Sequence, residues 1–263
     1  MKERRPNHKL TEEEKKEVVK EYQGGLSSCK LAGKFNVSAL MVIRLLKRNG
    51  IPRRSFDLAG RKYNVFDEAF EDLSGEESQY WAGFLDADGC VLESGKSYKI
   101  TVGLQKGDYG HLVKLRQFLK SDVPIHQHEN SYGLTVASKQ IGNRLIDLGI
   151  TPRKSYKNNK IDDVLAYSRH FWRGMIDGDG SLGINRKGAS FFSLCGSRAL
   201  IVQFADYVKS IGGPRNKVGE KGNIYQIAFG CNTAKFLAKH FYENATIYLD
   251  RKKKVVEKII SNP

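Results

Sequence analysis

The sequence has no long apolar run, few cysteines and no signal peptide. No run approaches the roughly 18–20 residues that cross a bilayer, so no membrane span is expected. The first residues, Met-Lys-Glu-Arg-Arg-Pro, are charged, which predicts an intracellular protein, cytoplasmic or organellar, rather than a secreted one. The thiols are far apart with no CxxC pair, which excludes a disulfide framework or zinc site and predicts reduced cysteines packed as small apolar residues: Cys29, Cys90, Cys195 and Cys231.

Acidic residues are scarce relative to basic ones. The 263 residues contain 44 Lys and Arg against 29 Asp and Glu, a net charge of +15. Residues 1–62 hold sixteen of the basic residues against seven acidic ones. Such an excess indicates a polyanionic partner, most often nucleic acid, although a basic surface without a specific ligand is the alternative. Hydrophobic content of 40% is ordinary for a globular protein, and the length allows two or three modules.

Residues 11–49 have the pattern of three short helices. Thr11 with Glu14 forms a capping-box sequence, a second helix is predicted over 28–34, and Ser38 is the expected N-cap of a third. Two helices joined by a tight turn, the second one basic, resemble a helix-turn-helix DNA-binding domain, predicted over residues 1–54. The alternative is a helical bundle that only packs on the main body. The predicted DNA contacts of this segment are Ser38, Ala39, Arg44 and Lys47, with Arg53, Arg54 and Arg61 in or beside a basic linker over 55–73.

The chain contains one short phrase twice, 91 residues apart. Residues 81–89 read WAGFLDADG and residues 172–180 read WRGMIDGDG. A repeat of this length predicts two similar units, over 74–165 and 166–263. Each phrase has small residues four positions apart, which lets two helices approach closely, and these are the predicted seam: Gly83, Ala87, Gly174 and Gly178. The helix ends would then converge, so that Asp88 and Asp179 face one shared space.

After each helix the apolar period changes from 3.6 to 2, which indicates strands. Ser74 with Glu77 is a second capping-box sequence and predicts where the first repeated helix begins. Residues 98–105 alternate, so that Lys99, Thr101 and Gln105 share the outer face and are placed to read base edges. Asn185 and Lys187 are the predicted DNA contacts of the second unit. The further predicted elements lie at 108–119, 125–129, 132–137 and 138–148, and at 190–195, 198–211, 216–220, 224–229 and 233–241.

Each unit ends with a basic phrase. Residues 149–155 read GITPRKS and residues 245–252 read ATIYLDRK, so that an Arg-Lys pair recurs at a matching place. A single pair of this kind is typical of any solvated surface, whereas its recurrence in both units favours a function for Lys154 and Lys252.

These motifs closely resemble the LAGLIDADG homing endonuclease family over about residues 63–255. The resemblance implies an α+β fold of two pseudo-symmetric αββαββα units that form a DNA-binding saddle. It also implies a monomer that makes a Mg²⁺-dependent double-strand break in a long target site, with Mn²⁺ or Ca²⁺ as other ions for the site. Carried over by position, the metal-binding acids are Asp88 and Asp179, while Asp86 and Asp177 hold the helix ends. Gln105 corresponds to a residue that positions water, and Lys154 and Lys252 to basic residues near the scissile phosphates.

Two departures from the family pattern have consequences. Arg173 replaces a small residue of the motif, which predicts an outward-pointing side chain or a looser seam. The second unit has Ser-Leu-Cys-Gly at 193–196 where a glutamine is expected, which predicts two unequal active sites. Three alternatives stay open. In the first, Asp88 and Asp179 are only structural caps and nuclease activity is lost. In the second, the protein is a non-catalytic DNA-binding regulator. In the third, it is a splicing cofactor that binds intron RNA.

Overall fold

The computed structural model describes residues 10–24, 26–52, 61–152, 160–222 and 224–262. The chain divides into two compact units, which are called here the N-terminal unit, Met1–Asn64, and the main unit, Val65–Pro263. The finer domain boundaries stay predictions. Across the described ranges, no helix is both long enough and apolar enough to cross a membrane.

The described residues of the N-terminal unit include three helices at the predicted places: α1 (Glu12–Gln23), α2 (Ser28–Lys34) and α3 (Ala39–Arg48). Both bonds of the Thr11 capping box are present, since the Glu14 amide donates to Thr11 Oγ1 (3.2 Å) and the Thr11 amide to Glu14 Oε2 (2.8 Å). Ser38 caps α3 by accepting from the Met41 amide (3.2 Å). The core that joins the three helices includes Val18, Leu31, Val42 and Leu46.

The main unit contains the αββαββα sequence of elements twice, which confirms the predicted fold. The first repeat comprises α4 (Glu76–Ala87), β1 (Gly89–Ser94), β2 (Ser97–Gln105), α5 (Tyr109–Phe118), β3 (His126–Gln127), β4 (Ser131–Ala137) and α6 (Lys139–Asp147). A short helix, α7 (Asp163–Ala166), precedes the second. The second repeat comprises α8 (Arg169–Asp179), β5 (Gly180–Ile184), β6 (Ser190–Gly196), α9 (Arg198–Ser210), β7 (Gly219–Lys221), β8 (Ile224–Gly230) and α10 (Cys231–Tyr242). A final helix, α11 (Asp250–Ser261), was not predicted.

Each repeat builds one antiparallel four-stranded sheet, in the order β1-β2-β4-β3 and β5-β6-β8-β7. Gly89 pairs with Val102 in the first sheet and Gly180 with Leu194 in the second, so the two motif helices enter their sheets in the same way. In β2, Ile100, Val102 and Leu104 are buried as predicted. The opposite face of this strand therefore carries the polar side chains.

Two local predictions are wrong. Ser74 does not cap α4, because its own amide donates to Asp72 Oδ1 (2.8 Å) and the helix begins one residue later, with Gly75 at the N-cap. The thiols are not packed in the core either: Cys29, Cys90 and Cys231 are exposed and Cys195 is half-buried. Cys90 shows the reason, since it occupies an outward-facing position of β1.

Helices α4 and α8 pack backbone to backbone along the seam. A Cβ atom added to Gly83 would lie 2.0 Å from the Phe171 carbonyl oxygen, and one added to Gly174 would lie 2.1 Å from that of Tyr80. One added to Gly178 would lie 2.4 Å from Cβ of Ala87. No side chain fits at these glycines without moving the helices apart.

Candidate active site

The two motif helices end side by side. Asp88 is the C-cap of α4, where its amide donates to the Phe84 carbonyl (2.9 Å), and Asp179 is the last residue of α8. A Cβ added to Gly178 would lie 3.2 Å from Cγ of Asp88 and 3.3 Å from its Oδ2. The carboxylate of Asp88 therefore lies beside the residue that immediately precedes Asp179.

Lys252 lies at the C-terminal end of α8 and interacts electrostatically with both acids. It belongs to α11, it is buried, and its Nζ donates to the carbonyl oxygens of Ile176 (3.3 Å) and Gly180 at the end of α8. Burial lowers the pKa of the Lys252 ammonium, and Arg251 lowers it further. Asp177, Asp88 and Asp179 raise it, in that order of size, so both candidate metal-binding acids interact electrostatically with one ammonium group.

This arrangement concentrates negative charge. The carbonyl ends of α4 and α8, each equivalent to about half an elementary charge, lie at the two residues that carry these carboxylates, Asp88 and Asp179. Lys252 offsets part of this charge on the α8 side. Among the described residues, no cluster of three or more His, Cys, Asp or Glu side chains forms a complete metal site. Two carboxylates are nevertheless what Mg²⁺ commonly takes from a protein, because phosphate oxygens and water supply the rest of its shell.

Gln105 ends β2 on the outer face of the first sheet. Gly89 pairs with Val102, so Asp88 lies across from Gly103 when the β1–β2 register is continued by one residue. Gln105 lies two residues beyond Gly103, about 7 Å along the strand. Its Nε2 donates to Asp108 Oδ2 (3.0 Å). Arg251 Nε donates to the same oxygen (2.9 Å).

The counterpart of Gln105 in the second repeat is Ser197. The pairing of Gly180 with Leu194 makes Leu194 equivalent to Val102, so three residues further on Ser197 takes the place of Gln105. Its hydroxyl caps α9 by accepting from the Leu200 amide (3.3 Å). The sequence-based comparison placed residues 193–196 at this position, and that range ends one residue before Ser197.

A buried hydrogen-bond network surrounds Asp177 at the seam. The carboxylate accepts from the Tyr80 hydroxyl (2.7 Å), the Tyr242 hydroxyl (2.5 Å) and the Leu249 amide (2.7 Å). Burial raises the pKa of Asp177 to about 6, although these three bonds oppose the shift. Tyr80 comes from the first repeat and the other groups from the second, so Asp177 joins the two. Asp86, its counterpart, is also buried.

Arg173 is fully buried, so the prediction of an outward side chain or a loosened seam is wrong. Its guanidinium donates to the Ile247 carbonyl (2.9 Å), the Phe241 carbonyl (3.1 Å) and Glu76 Oε1 (2.5 Å). Glu76 Oε1 also accepts from the Thr246 amide (2.8 Å). The arginine thus ties α4 to the segment before α11, which strengthens the seam.

The predicted DNA contacts of the main unit differ in their exposure and in the hydrogen bonds that they make within the protein. Lys99 and Lys187 are exposed. Thr101 shares a hydrogen bond with Thr135 across the strands (3.1 Å). Asn185 holds the β5–β6 turn, since its Oδ1 accepts from the amides of Lys187 (2.9 Å) and Ala189 (3.0 Å). Arg53, Arg54 and Lys154 lie outside the described residues.

In the N-terminal unit, one face of α3 is exposed. It carries Leu40 and Met41 at its start and Arg44, Lys47 and Arg48 toward its end. Ala39, a predicted base contact, is partly buried and packs against the core of this unit. The Ser38 hydroxyl accepts a hydrogen bond from the Met41 amide as the N-cap of α3. Arg61, which follows, is half-buried.

Sequence reasoning missed Asp108, Arg251 and the Tyr80–Asp177 bond. Each contact joins residues of different repeats, over 143 positions for Asp108–Arg251 and 97 for Tyr80–Asp177. The only available signal was the position of Arg251 beside Lys252 in the recurring basic phrase.

The sequence matches no protein-family profile and no curated protein. Its structural neighbours are LAGLIDADG homing endonucleases. One is the LAGLIDADG meganuclease I-AabMI bound to uncleaved DNA, at 13% identity and a TM-score of 0.49, covering 70% of this chain and 88% of that one. Another is a mesophilic variant of the homing endonuclease I-DmoI, at 15% and 0.48, covering 65% and 97%. A third is the LAGLIDADG meganuclease I-CpaMI bound to uncleaved DNA, at 15% and 0.47, covering 70% and 92%. At these identities an activity has to be assigned from the residues of this chain.

Proposed function

We propose that the protein is a site-specific endonuclease that makes a divalent-metal-dependent double-strand break in duplex DNA. The observation that carries the proposal is the convergence of Asp88 and Asp179 at two adjacent helix ends, within electrostatic reach of the buried Lys252. A negatively charged point of this kind repels a DNA phosphate unless a cation lies between them. The net charge of +15 nevertheless favours a polyanion as the partner.

The two carboxylates fit Mg²⁺, and less specifically Mn²⁺ or Ca²⁺, since all their donor atoms are hard oxygens. Such an ion, when bound, lowers the pKa of water and neutralises charge that develops on the phosphate. Asp88 and Asp179 would hold it from opposite repeats. One carboxylate from each half gives a centre that serves both strands of a duplex.

The surrounding residues complete the proposed site. Gln105, at the end of β2, would accept a hydrogen bond from the attacking water on the first-repeat side. Lys252 would keep a positive charge beside the scissile phosphates while its bonds to Ile176 and Gly180 hold the end of α8 in place. Lys154 would have the matching role in the first repeat. Lys99 and Lys187 would contact the backbone of the bound DNA.

The N-terminal unit would bind DNA by itself, as a helix-turn-helix. The exposed face of α3 supports this part of the proposal, since it begins with the apolar Leu40 and Met41 and ends with basic residues. Apolar side chains suit thymine methyl groups in a major groove, and Arg44 and Lys47 suit guanines or phosphates.

Selection by binding, followed by cleavage, tests the function. Duplexes are first selected from a random library in EDTA, so that selection does not depend on cutting. Mg²⁺ is then added to the selected duplexes. We expect both strands to be cut in Mg²⁺ and neither in EDTA. Asp88→Asn and Asp179→Asn should abolish cutting and leave binding largely intact. Asp147→Asn is the matched control, because this exposed acid at the end of α6 undergoes the same chemical change.

Other outcomes identify the alternatives. Selected duplexes that are bound tightly and never cut, in Mg²⁺ or in Mn²⁺, would indicate a DNA-binding regulator. Displacement of the duplex by structured intron RNA at lower concentration than by competitor DNA would indicate a splicing cofactor. Full cutting by both asparagine variants would overturn the assignment of the two acids.

A further inference from the structure

Asp108 connects two parts of the candidate site that come from different repeats. It lies in the 3₁₀ turn Lys106–Asp108 between β2 and α5, and only 6% of its surface is exposed. Oδ2 accepts from Gln105 Nε2 (3.0 Å) and from Arg251 Nε (2.9 Å). Gln105 belongs to the first repeat. Arg251 belongs to α11 and directly precedes Lys252.

The chemistry of Asp108 determines which end of the Gln105 amide faces it. A carboxylate has no hydrogen to donate, so only the NH₂ group of the glutamine can bond to it. The amide oxygen of Gln105 is consequently directed away from Asp108. An amide oxygen is an acceptor, which is the group that orients an attacking water by one of its hydrogens.

The Arg251 bond anchors the same carboxylate from the other repeat. A second contact of this kind lies nearby, where Lys114 Nζ donates to Asp250 Oδ1 (2.9 Å) and to the Tyr248 carbonyl (3.3 Å). The start of α11 is thus held by two side chains of the first repeat. Only the Asp108 contact also reaches Gln105.

The second repeat has no equivalent arrangement. Ser197 stands at the position of Gln105, and the residue equivalent to Asp108 is Leu200. Leucine offers no acceptor, and the Ser197 hydroxyl is engaged by the Leu200 amide. The arrangement is therefore present at one of the two cleavage positions.

We infer that Asp108, which is itself anchored by Arg251, is a positioning residue for cleavage of one DNA strand, because it fixes the amide orientation of Gln105. The inference rests on the proposed nuclease function. Partners that orient a group at a reacting centre change activity about 10- to 100-fold when they are removed. Loss of Asp108 should consequently slow one strand by that factor and leave the other nearly unchanged.

The experiment measures the two strands separately on a selected duplex that carries a different end label on each strand. Asp108→Ala should lower the saturating cleavage rate of one strand about 10- to 100-fold without changing the Kd for DNA. Asp108→Asn should retain more activity, because it keeps an oxygen acceptor in the same place. Gln105→Ala should slow the same strand, and the double variant should be no slower than Gln105→Ala alone.

Lys114→Ala is the matched control, since it removes the neighbouring contact between the repeats without touching Gln105. It should leave the strand ratio at the wild-type value. Equal slowing of both strands by Asp108→Ala together with a lowered Tm, or losses that multiply in the double variant, would overturn the inference and leave Asp108 as a structural residue. A wild-type protein that binds and never cuts would instead overturn the proposed function, a result that is visible before any variant is made.

Discussion

The glycines of the seam allow a prediction whose sign differs from that of ordinary helix propensity. Gly83 lies inside α4, where alanine is normally favoured by about 1 kcal/mol. Its Cβ would lie 2.0 Å from the Phe171 carbonyl oxygen and 3.1 Å from the Met175 amide nitrogen. These obstacles are backbone atoms of α8, which cannot rotate away as a side chain can. Gly83→Ala must therefore push the two helices apart.

The magnitude follows from these distances. A contact of 2.0 Å must open to at least 3.0 Å, a shift of about 1 Å along a seam that also positions Asp88 and Asp179. Overpacking typically costs about 1–3 kcal/mol, and a rigid backbone obstacle places this case at the upper end. After the propensity gain of about 1 kcal/mol is subtracted, the net loss is about 2 kcal/mol or more. In a protein of this size, Tm should fall by about 4–8 °C.

Thermal unfolding and strand cleavage measured on the same preparations test this prediction. A displacement of about 1 Å at a reacting centre costs on the order of 100-fold in rate, so cleavage should fall by that factor while the protein remains folded. The matched control is Gly110→Ala, because Gly110 is an exposed helical glycine in α5 and its added Cβ meets no atom within 4 Å. This control should gain up to about 1 kcal/mol and cleave normally.

The comparison of the two alanine variants decides the outcome. A Gly83→Ala protein as stable as Gly110→Ala, with wild-type cleavage, would refute the close packing of α4 on α8. A Gly83→Ala protein with a lowered Tm and full cleavage would refute the claim that the seam sets the geometry of the two acids.

Two further predictions concern buried ionisable side chains. Arg173→Leu should lower the free energy of unfolding in urea by about 3 kcal/mol, because it leaves Glu76 without its guanidinium partner. Adding Glu76→Leu should recover part of that loss. No recovery in the double variant would contradict the pairing. Burial lowers the pKa of His111 from 6.5 to about 3, so only the unfolded state takes up a proton as pH falls below 6.5, and the free energy of unfolding decreases. His111→Phe should gain stability relative to the wild type as pH falls from 7 to 4.5, and parallel pH profiles would contradict this assignment.

The fold was largely predictable because its signals are local. The Thr11 and Ser38 caps, the alternation in β2 and the paired glycines all lie within a few residues of the elements that they specify. The convergence of Asp88 and Asp179 was predictable for a similar reason, since the two phrases repeat the same spacing of small residues before the same acid.

The rest depends on contacts between distant residues. Helix α11 begins with charged residues and owes its place to the packing of Val256 and Ile259, so its sequence resembles a solvated end. The charge of Arg173 is paired with Glu76, 97 positions earlier, so the residues around Arg173 in the sequence do not reveal its partner. Ser197 was missed because the register of β6 is set by pairing with β5, which a pattern of alternating residues does not determine.

The pairing of Arg173 with Glu76 limits which combinations of the two repeats can associate. At the repeat spacing of 91, the counterpart of Arg173 is Ala82 and that of Glu76 is Tyr167. Two copies of the second repeat joined across the same seam would bury two guanidinium groups and provide no counterpart of Glu76 for either of them. Two copies of the first would leave both glutamates without a cation. A dimer of two identical halves would therefore be disfavoured for either repeat, and separate polypeptides bearing one repeat each would associate as unlike partners.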